Sequence, residues 1–288
     1  MNIGVVHFGS YTTGVTEIIT RLIEANIESY RLYGIDWNRH TKGIEVKELH
    51  RESIAQAQFN GDAILSAFPE QYWNEGSKSL IHENIKLDYL ILLGGSKETV
   101  STSSIKTLHV PVSIFNSEDH SSYSLGYDSA LNTIYSSIEK IRDTASSLIY
   151  NKLRVFPIQI PGNKYTPLVQ DTALAINAPF VRQDDDEAIT IIKEAIQEKN
   201  SRNESYLFII MDHSVNHQSL EQKIAVEFDV DWKVMSISES QCVGPFPTAI
   251  DRIVIGRISD KIIELINTSS LDSGYIGIQD LQVTYYKN

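Results

Sequence analysis

Cysteine occurs once in 288 residues, at Cys242, so neither an intrachain disulfide nor a cysteine-rich metal site can staple this chain. Its ordinary reading is a small buried hydrophobe, which argues against redox chemistry. Basic residues are also scarce: 25 Lys and Arg face 37 Asp and Glu, a formal net charge of −12 with a pI near 5.1. That balance disfavours nucleic acid and anionic membrane as partners and confines any positive ligand patch to a small area. No window reaches the roughly 18 uninterrupted apolar residues of a membrane-spanning helix. The opening stretch Met1 to His7 lacks both a basic segment and a long apolar one, so the expectation is a cytoplasmic protein. With only 15 Gly and 8 Pro the chain is not of low complexity, and 42% hydrophobic with 22% charged residues is a globular composition. At about 150 residues per domain, the length suggests two domains.

Short apolar runs alternate with stretches of helical period almost from end to end. That is the pattern of an α/β fold with mainly parallel sheets. Strands are predicted at Ile3 to Phe8, Leu87 to Leu93, Val110 to Phe115, Val155 to Ile160 and Leu207 to Met211. Helical spacing runs through Val15, Ile18, Ile19, Leu22 and Ala25, and again through Glu187 to Gln197, Leu220 to Phe228 and Pro247 to Ile266. A longer helix carries the stripe Tyr127, Leu131, Ile134, Ile138, Ile141 and Ala145, with Asp128 or Ser129 as candidate caps. Ligands of open α/β sheets sit outside the carboxyl ends of the strands. The loops after the first three predicted strands are therefore the place to look: Gly9 to Gly14, Gly94-Gly95-Ser96 and Asn116 to His120.

Taken alone, these loops are weak signals. Gly94-Gly95-Ser96-Lys97 lacks the spacing of a P-loop, and no dinucleotide fingerprint follows the first strand, so a phosphate site and a tight turn both stay open. Asp212, His213 and His217 offer metal-ligand spacing, but without a clear helix pattern there they read as loop residues. The run Asp184 to Glu187 precedes a helix, where acids cap and complement the dipole; the calcium-loop pattern is absent.

The informative string is Ser124-Leu125-Gly126-Tyr127-Asp128-Ser129-Ala130-Leu131-Asn132-Thr133, continuing through Ile138 to Ser147. It resembles the ATP-dependent 6-phosphofructokinase family of bacterial type. Ile3-Gly4-Val5, Gly94-Gly95, Val110-Pro111, Pro247-Thr248-Ala249-Ile250-Asp251-Arg252 and Gly277-Ile278-Gln279 fit that family in order. The resemblance implies two Rossmann-like three-layer domains, with a cleft between them as the active site and assembly into oligomers. It implies a nucleotide-side domain from 1–126 plus about 246–280, and a sugar-phosphate-side domain from 127–245 plus the C-terminal end. The implied chemistry moves the ATP γ-phosphoryl group to fructose 6-phosphate, which requires a base, magnesium on the phosphates and cations for the migrating charge.

At those parts the chain departs from the family. Phe115 stands at the family's base position and Ser117 at the second acidic position. Ser96 replaces the magnesium-binding Asp, beside Gly9, Gly94 and Gly95 on the nucleotide side. On the sugar-phosphate side Asn116 and Gly162 remain, Asn163 replaces an arginine, the sugar-binding Glu falls near His213, and Glu239 to Pro245 replaces a segment with a second arginine. Arg154 matches an effector-side arginine, whereas the other effector arginines fall near Thr20 and Glu24. The expectation is a catalytically inactive binding or regulatory protein with no metal site, forming a homo-oligomer or a complex with a related catalytic subunit. The alternative is an active kinase with ATP or ADP and magnesium as ligands, using Glu118 or Asp119 as a displaced base and Lys97 on a phosphate.

Overall fold

The computed structural model describes residues 1–9, 12–25, 30–60, 63–74, 81, 85–96, 105–118, 120–147, 151–162, 166–268, 270 and 272–288. In chain order its elements are β1 (Asn2–His7), α1 (Thr13–Glu24), β2 (Arg31–Asn38), β3 (Gly43–Leu49), α2 (Arg51–Asn60), β4 (Tyr89–Leu93), β5 (Lys106–Val110) and α3 (Tyr127–Ser147). Then come β6 (Arg154–Ile160), α4 (Pro167–Ile176), β7 (Phe180–Val181), α5 (Asp186–Ser201), β8 (Tyr206–Asp212), α6 (His217–Ala225), β9 (Asp231–Trp232) and β10 (Met235–Ser236). The chain closes with α7 (Ala249–Asn267), β11 (Gly274–Gln279) and β12 (Gln282–Lys287). Contacts divide it into two units, Met1–Asp128 with Pro245–Asn288 and Ser129–Gly244. Among the described residues no helix is long and apolar enough to cross a membrane.

The first unit is built on a seven-stranded sheet in the order β12-β11-β5-β4-β1-β2-β3. Its inner pairs are parallel, and antiparallel strands β3 and β12 close its edges. The central strands are apolar on both faces because helices and loops cover both. On β4, Tyr89, Ile91 and Leu93 join one core with Ile3, Val5, Ile18, Leu22, Val254 and Ile258, while Leu90 and Leu92 join a second core with Val6, Phe8, Phe68 and Trp73. This alternation is the period-2 geometry of a strand. Each buried Ile or Leu contributes about 1.5–3 kcal/mol relative to exposure.

Two sequence expectations are corrected here. The C-terminal end belongs to the first unit, because β12 pairs antiparallel with β11, which itself pairs with β5. The third strand is Lys106–Val110 and not Val110 to Phe115. Pro111 cannot donate to a ladder, and the true strand contains Lys106, Thr107 and His109, which an apolar-run reading passes over.

In the second unit β6 lies between β8 and the short strands β9 and β10, and β7 flanks β8; all these pairs are parallel. Val155, Ile209 and Met211 pack against Ile192 and Ile196 of α5 and Leu220 and Ile224 of α6. Asp185 caps α5 by accepting the Ala188 N–H at 2.9 Å. That bond comes first among the causes holding its carboxyl below the ordinary range. The acidic run is therefore a cap. On α3, Ile134, Ile138 and Ala145 are buried, but Leu131 and Ile141 sit at the margins of the stripe and are only half-buried.

Cys242 is fully buried and its Sγ donates to the Ser238 carbonyl at 3.3 Å. Burial, then the nearby Glu239, pushes its thiol up to about 12. Since the thiolate is the reactive form, Cys242 is expected to react with a disulfide reagent at pH 8 at least about 100-fold more slowly than a free cysteine until urea unfolds the chain. A stopped-flow comparison of native and denatured protein checks this, and equal rates would contradict the burial.

Candidate functional site

In the first unit the carboxyl ends of β1, β4 and β5 bring three sequence-predicted loops near one another. Phe8 donates its N–H to the Leu93 carbonyl at 2.9 Å, and Gly94 donates to Val110 at 2.9 Å. Gly94 has φ +77°, and a Cβ there would lie 2.7 Å from the Val112 carbonyl and 2.9 Å from that of Phe8. Only glycine fits such a crossing. Packing of the chain on itself thus accounts for this residue without any ligand. Gly9 takes φ +80° with open space around it.

Two residues meet the Gly94-Gly95-Ser96 turn: Glu70, in the segment Ser66-Ala67-Phe68-Pro69-Glu70 that stands where the family has an A-R-C-P-E motif, and His109, which the sequence did not single out. Ser96 donates its N–H to Glu70 Oε2 at 3.1 Å. His109, only 5% exposed, lies beside the backbone of Gly94 and Gly95, and its Nε2 has no hydrogen-bond partner among the described residues. Burial, reinforced by nearby His120, lowers this imidazole to about 4, against the opposing pull of those backbone groups and of Glu70. It is neutral at pH 7 and supplies no cation.

The loop that follows β5 carries no carboxylate at the positions the family uses. Phe115 is half-buried and its N–H donates to Ser113 Oγ at 3.1 Å; Ser117 is exposed. Asn116 adopts φ +52° and donates through Nδ2 to the Ser122 carbonyl at 3.1 Å. Glu118 is half-buried, and Asp119, like Lys97, lies outside the described residues. Magnesium requires oxygen ligands, chiefly carboxylates. Neither Ser96 nor Ser117 supplies one, and among the described residues no group of three or more His, Cys, Asp and Glu could hold a metal ion. Positions 96 and 117 therefore offer that ion no carboxylate.

Behind this loop the two strings that carry the resemblance are bonded to each other. Asp251, fully buried, accepts the Tyr123 hydroxyl at 2.7 Å and the Gly126 N–H at 3.0 Å. Thr248 caps α7 by accepting the Asp251 N–H at 3.4 Å, and its hydroxyl donates to Asp128 Oδ2 at 2.5 Å. Asp128 thus reaches the start of α7.

In the second unit the carboxyl ends of β6 and β8 place Gly162 and Asp212. Gly162 has φ +124°, and a Cβ would lie 2.4 Å from Thr166 Oγ1, so the start of α4 already demands glycine. Asn163 lies outside the described residues. Asp212 is fully buried; its Oδ1 accepts the Ser214 N–H at 2.7 Å and hydroxyl at 2.5 Å, while Oδ2 has no hydrogen-bond partner among the described residues. His213 Nε2 lies 3.3 Å from Ser236 Oγ. Asp212 is thus the acidic group at this strand end, one position before the residue to which the sequence assigned the sugar-binding role. A strand-final acid after Ile209-Ile210-Met211 was a signal for it.

Arg154 is turned inward. It is 3% exposed, donates to the Ala145 carbonyl and lies 5.9 Å from the Phe156 ring. Cavities of about 470 and 400 Å³ lie elsewhere in this unit, and neither touches a sequence-predicted site residue. The smaller one is lined by Arg142, Lys199 and Arg202, but Arg142 donates to the Ile176 carbonyl at 3.0 Å at the end of α4. Lys199 pairs with Glu204 and Arg202 with Glu198 near the end of α5. These cations offset helix C-termini and neighbouring acids.

The Phosphofructokinase family model matches residues 2–266. The chain belongs to the phosphofructokinase family. It is 28% identical over 280 residues to an ATP-dependent 6-phosphofructokinase of Clostridioides difficile, covering 92% of this chain and 85% of that one. It is 27% identical over 256 residues to the enzyme of that name from Staphylococcus carnosus, covering 84% and 78%. Among solved structures, phosphofructokinase from Saccharomyces cerevisiae superposes with a TM-score of 0.78 at 18% identity, over 99% of this chain and 44% of the yeast one. The pyrophosphate-dependent phosphofructokinase of Nitrosospira multiformis gives 0.76 at 13% identity, over 99% and 82%. The structural likenesses establish the phosphofructokinase fold.

Proposed function

We propose that this phosphofructokinase-family protein does not transfer phosphoryl groups and serves as a binding or regulatory subunit, with nucleotide or sugar phosphate as its ligand class. The observation that carries this reading is the absence of an ionisable carboxylate at 96, 115 and 117, where the resemblance puts metal ligand and base. Losing a single transition-state contact commonly costs about 100-fold or more in rate. Losing base, metal ligand and cation together leaves positioning alone. In a coupled assay with ATP and fructose 6-phosphate, turnover is expected to stay far below about 1 s⁻¹, the low end for ordinary enzymes. Phe115→Asp is expected to leave it there, because charge stabilisation matters as much as the base. Turnover by the unaltered chain above that rate would overturn the reading. Calorimetry with ATP, ADP, fructose 6-phosphate and phosphoenolpyruvate then identifies the ligand.

A second reading is ATP-dependent phosphorylation of fructose 6-phosphate, and the names of the relatives favour it. Its base would be Glu118, which follows the loop and is half-buried. Under that reading the coupled assay shows turnover, and Glu118→Gln removes it.

A further inference from the structure

We propose that the cavity of about 470 Å³ beside β7 and the first turns of α5 binds a free α-amino acid with an aliphatic side chain. The site lies within the second unit and does not depend on whether the chain transfers phosphoryl groups. Its volume falls in the range of roughly 300–1,000 Å³ usual for small-molecule sites.

The cavity has an apolar floor, since Val181 and Ala188 are buried and Phe180 and Ile191 half-buried. Arg182 brings a cation to it from the end of β7. Its guanidinium carbon stands 5.4 Å from the centre of the Phe180 ring, a contact that holds a cation in place, and no carboxylate pairs with it among the described residues. Glu187 brings an anion from the first turn of α5, and it too has no ion-pair partner among the described residues. Asp185, the other acid of the lining, is committed: it caps α5 through the Ala188 N–H and accepts from Gln183. The helix terminus is thus already satisfied and leaves the ligand to the two unpaired side chains. The backbone adds a donor. The Pro179 carbonyl accepts the Ile210 N–H at 2.9 Å on the β8 side, and the two ends of a trans peptide unit point opposite ways. The Phe180 N–H is therefore turned to the open edge of the sheet, where β7 ends the strand order.

An unpaired cation, an unpaired anion and an apolar floor select a dipolar ligand. Phosphate would meet Arg182 but also Glu187 and the exposed Asp184 and Asp186, which repel it. A simple cation would meet Arg182. An α-amino acid gives its carboxylate to the guanidinium fork and the Phe180 N–H, its ammonium to Glu187 and its side chain to the floor. A peptide strand laid along β7 carries neither end charge and would leave both side chains unused.

The test is isothermal titration of the full chain with leucine, isoleucine and methionine, of which at least one is expected to bind at a single site with Kd below about 1 mM. Analogues of the tightest binder are then compared: one without the ammonium group, one without the carboxylate (for leucine, isocaproate and isopentylamine) and the N-acetyl amide, which lacks both charges. Each is expected to bind at least roughly tenfold more weakly, the loss that follows removal of a charge-assisted bond. Arg182→Gln and Glu187→Gln, both at exposed positions, are expected to weaken the amino acid by a similar factor, and the methyl resonances of Val181 and Ile191 to move on titration of the unaltered chain. Absence of saturable binding by all three amino acids, full affinity in both variants, or binding that leaves those resonances unmoved would overturn the proposal. Equal affinity for the N-acetyl amide would overturn it too, in favour of a peptide segment. Turnover in the coupled assay bears on the non-catalytic reading alone.

Discussion

Lowering the pH from 7 to 4 is expected to take about 3 kcal/mol from the stability of the first unit through His109 alone. Burial depresses this imidazole to about 4 in the folded protein, whereas a free histidine titrates near 6.5. The sign follows from proton binding. Between those two values the unfolded chain is protonated and the folded chain is not, so acid favours unfolding. The stabilisation is complete above pH 6.5, falls as the pH drops towards 4, and changes little below that. His109→Gln keeps a donor for the backbone of the Gly94-Gly95 turn but has nothing to titrate. Urea unfolding of both proteins, followed by tryptophan fluorescence at pH 7, 5.5 and 4, checks the point. The difference between their stabilities is expected to narrow by about 3 kcal/mol across that range. Parallel pH profiles would show that His109 charges in the folded state.

The contacts of His109 and Glu70 with the Gly94-Gly95-Ser96 turn were not legible in the sequence. Their partners are backbone groups of a turn that is remote in the chain, and a backbone partner leaves no residue pattern. The apolar runs of β1, β4, β6 and β8 were legible because helices bury both faces of those strands. Strands β2 and β3 were not, since Arg31, Asp36, Glu45, Lys47 and Glu48 interrupt them and β3 is a sheet edge with solvated side chains. The hairpin β11–β12 was missed for the same reason, and with it the placement of the C-terminal end. At the candidate site the positions of Gly94, Gly95 and Gly162 were readable. Their cause was not, because the crowding around Gly94 and Gly162 comes from Val112, Phe8 and Thr166, which only folding brings close. The burial of Arg154, which the resemblance sets on the effector side, was likewise not legible in the sequence.

Asp251→Ala is expected to destabilise the first unit by about 3–5 kcal/mol, because it removes a buried carboxylate and leaves two donors, one of them buried, without their acceptor. The Tyr123 hydroxyl and the Gly126 N–H both converge on one oxygen of this fully buried carboxylate, at 2.7 and 3.0 Å. The Gly126 N–H is buried and has no water to turn to when the side chain is cut back, while the half-buried Tyr123 hydroxyl loses a charged acceptor. Burial first, and then Asp251 itself, raises the Tyr123 hydroxyl above its ordinary range, so it remains a donor at any accessible pH. Asp251→Asn keeps an oxygen in place without the charge and is expected to cost about 1–2 kcal/mol. Tyr123→Phe should cost about as much as the Asn change, and far less when added to Asp251→Ala, since the donor it removes is by then already orphaned. Thermal unfolding of the unaltered chain and the four variants tests the set, with the Ala variant expected to melt roughly 10 °C lower. Equal losses for Ala and Asn, or full additivity with Tyr123→Phe, would mean that Asp251 does not join these groups. This joint also explains why the strings around Ser124 to Asp128 and Pro247 to Arg252 stay family-like beside a loop that lacks the family's carboxylates. Each string supplies the partners of the other, so a change in either is penalised by folding itself, whatever has become of the chemistry in front of them.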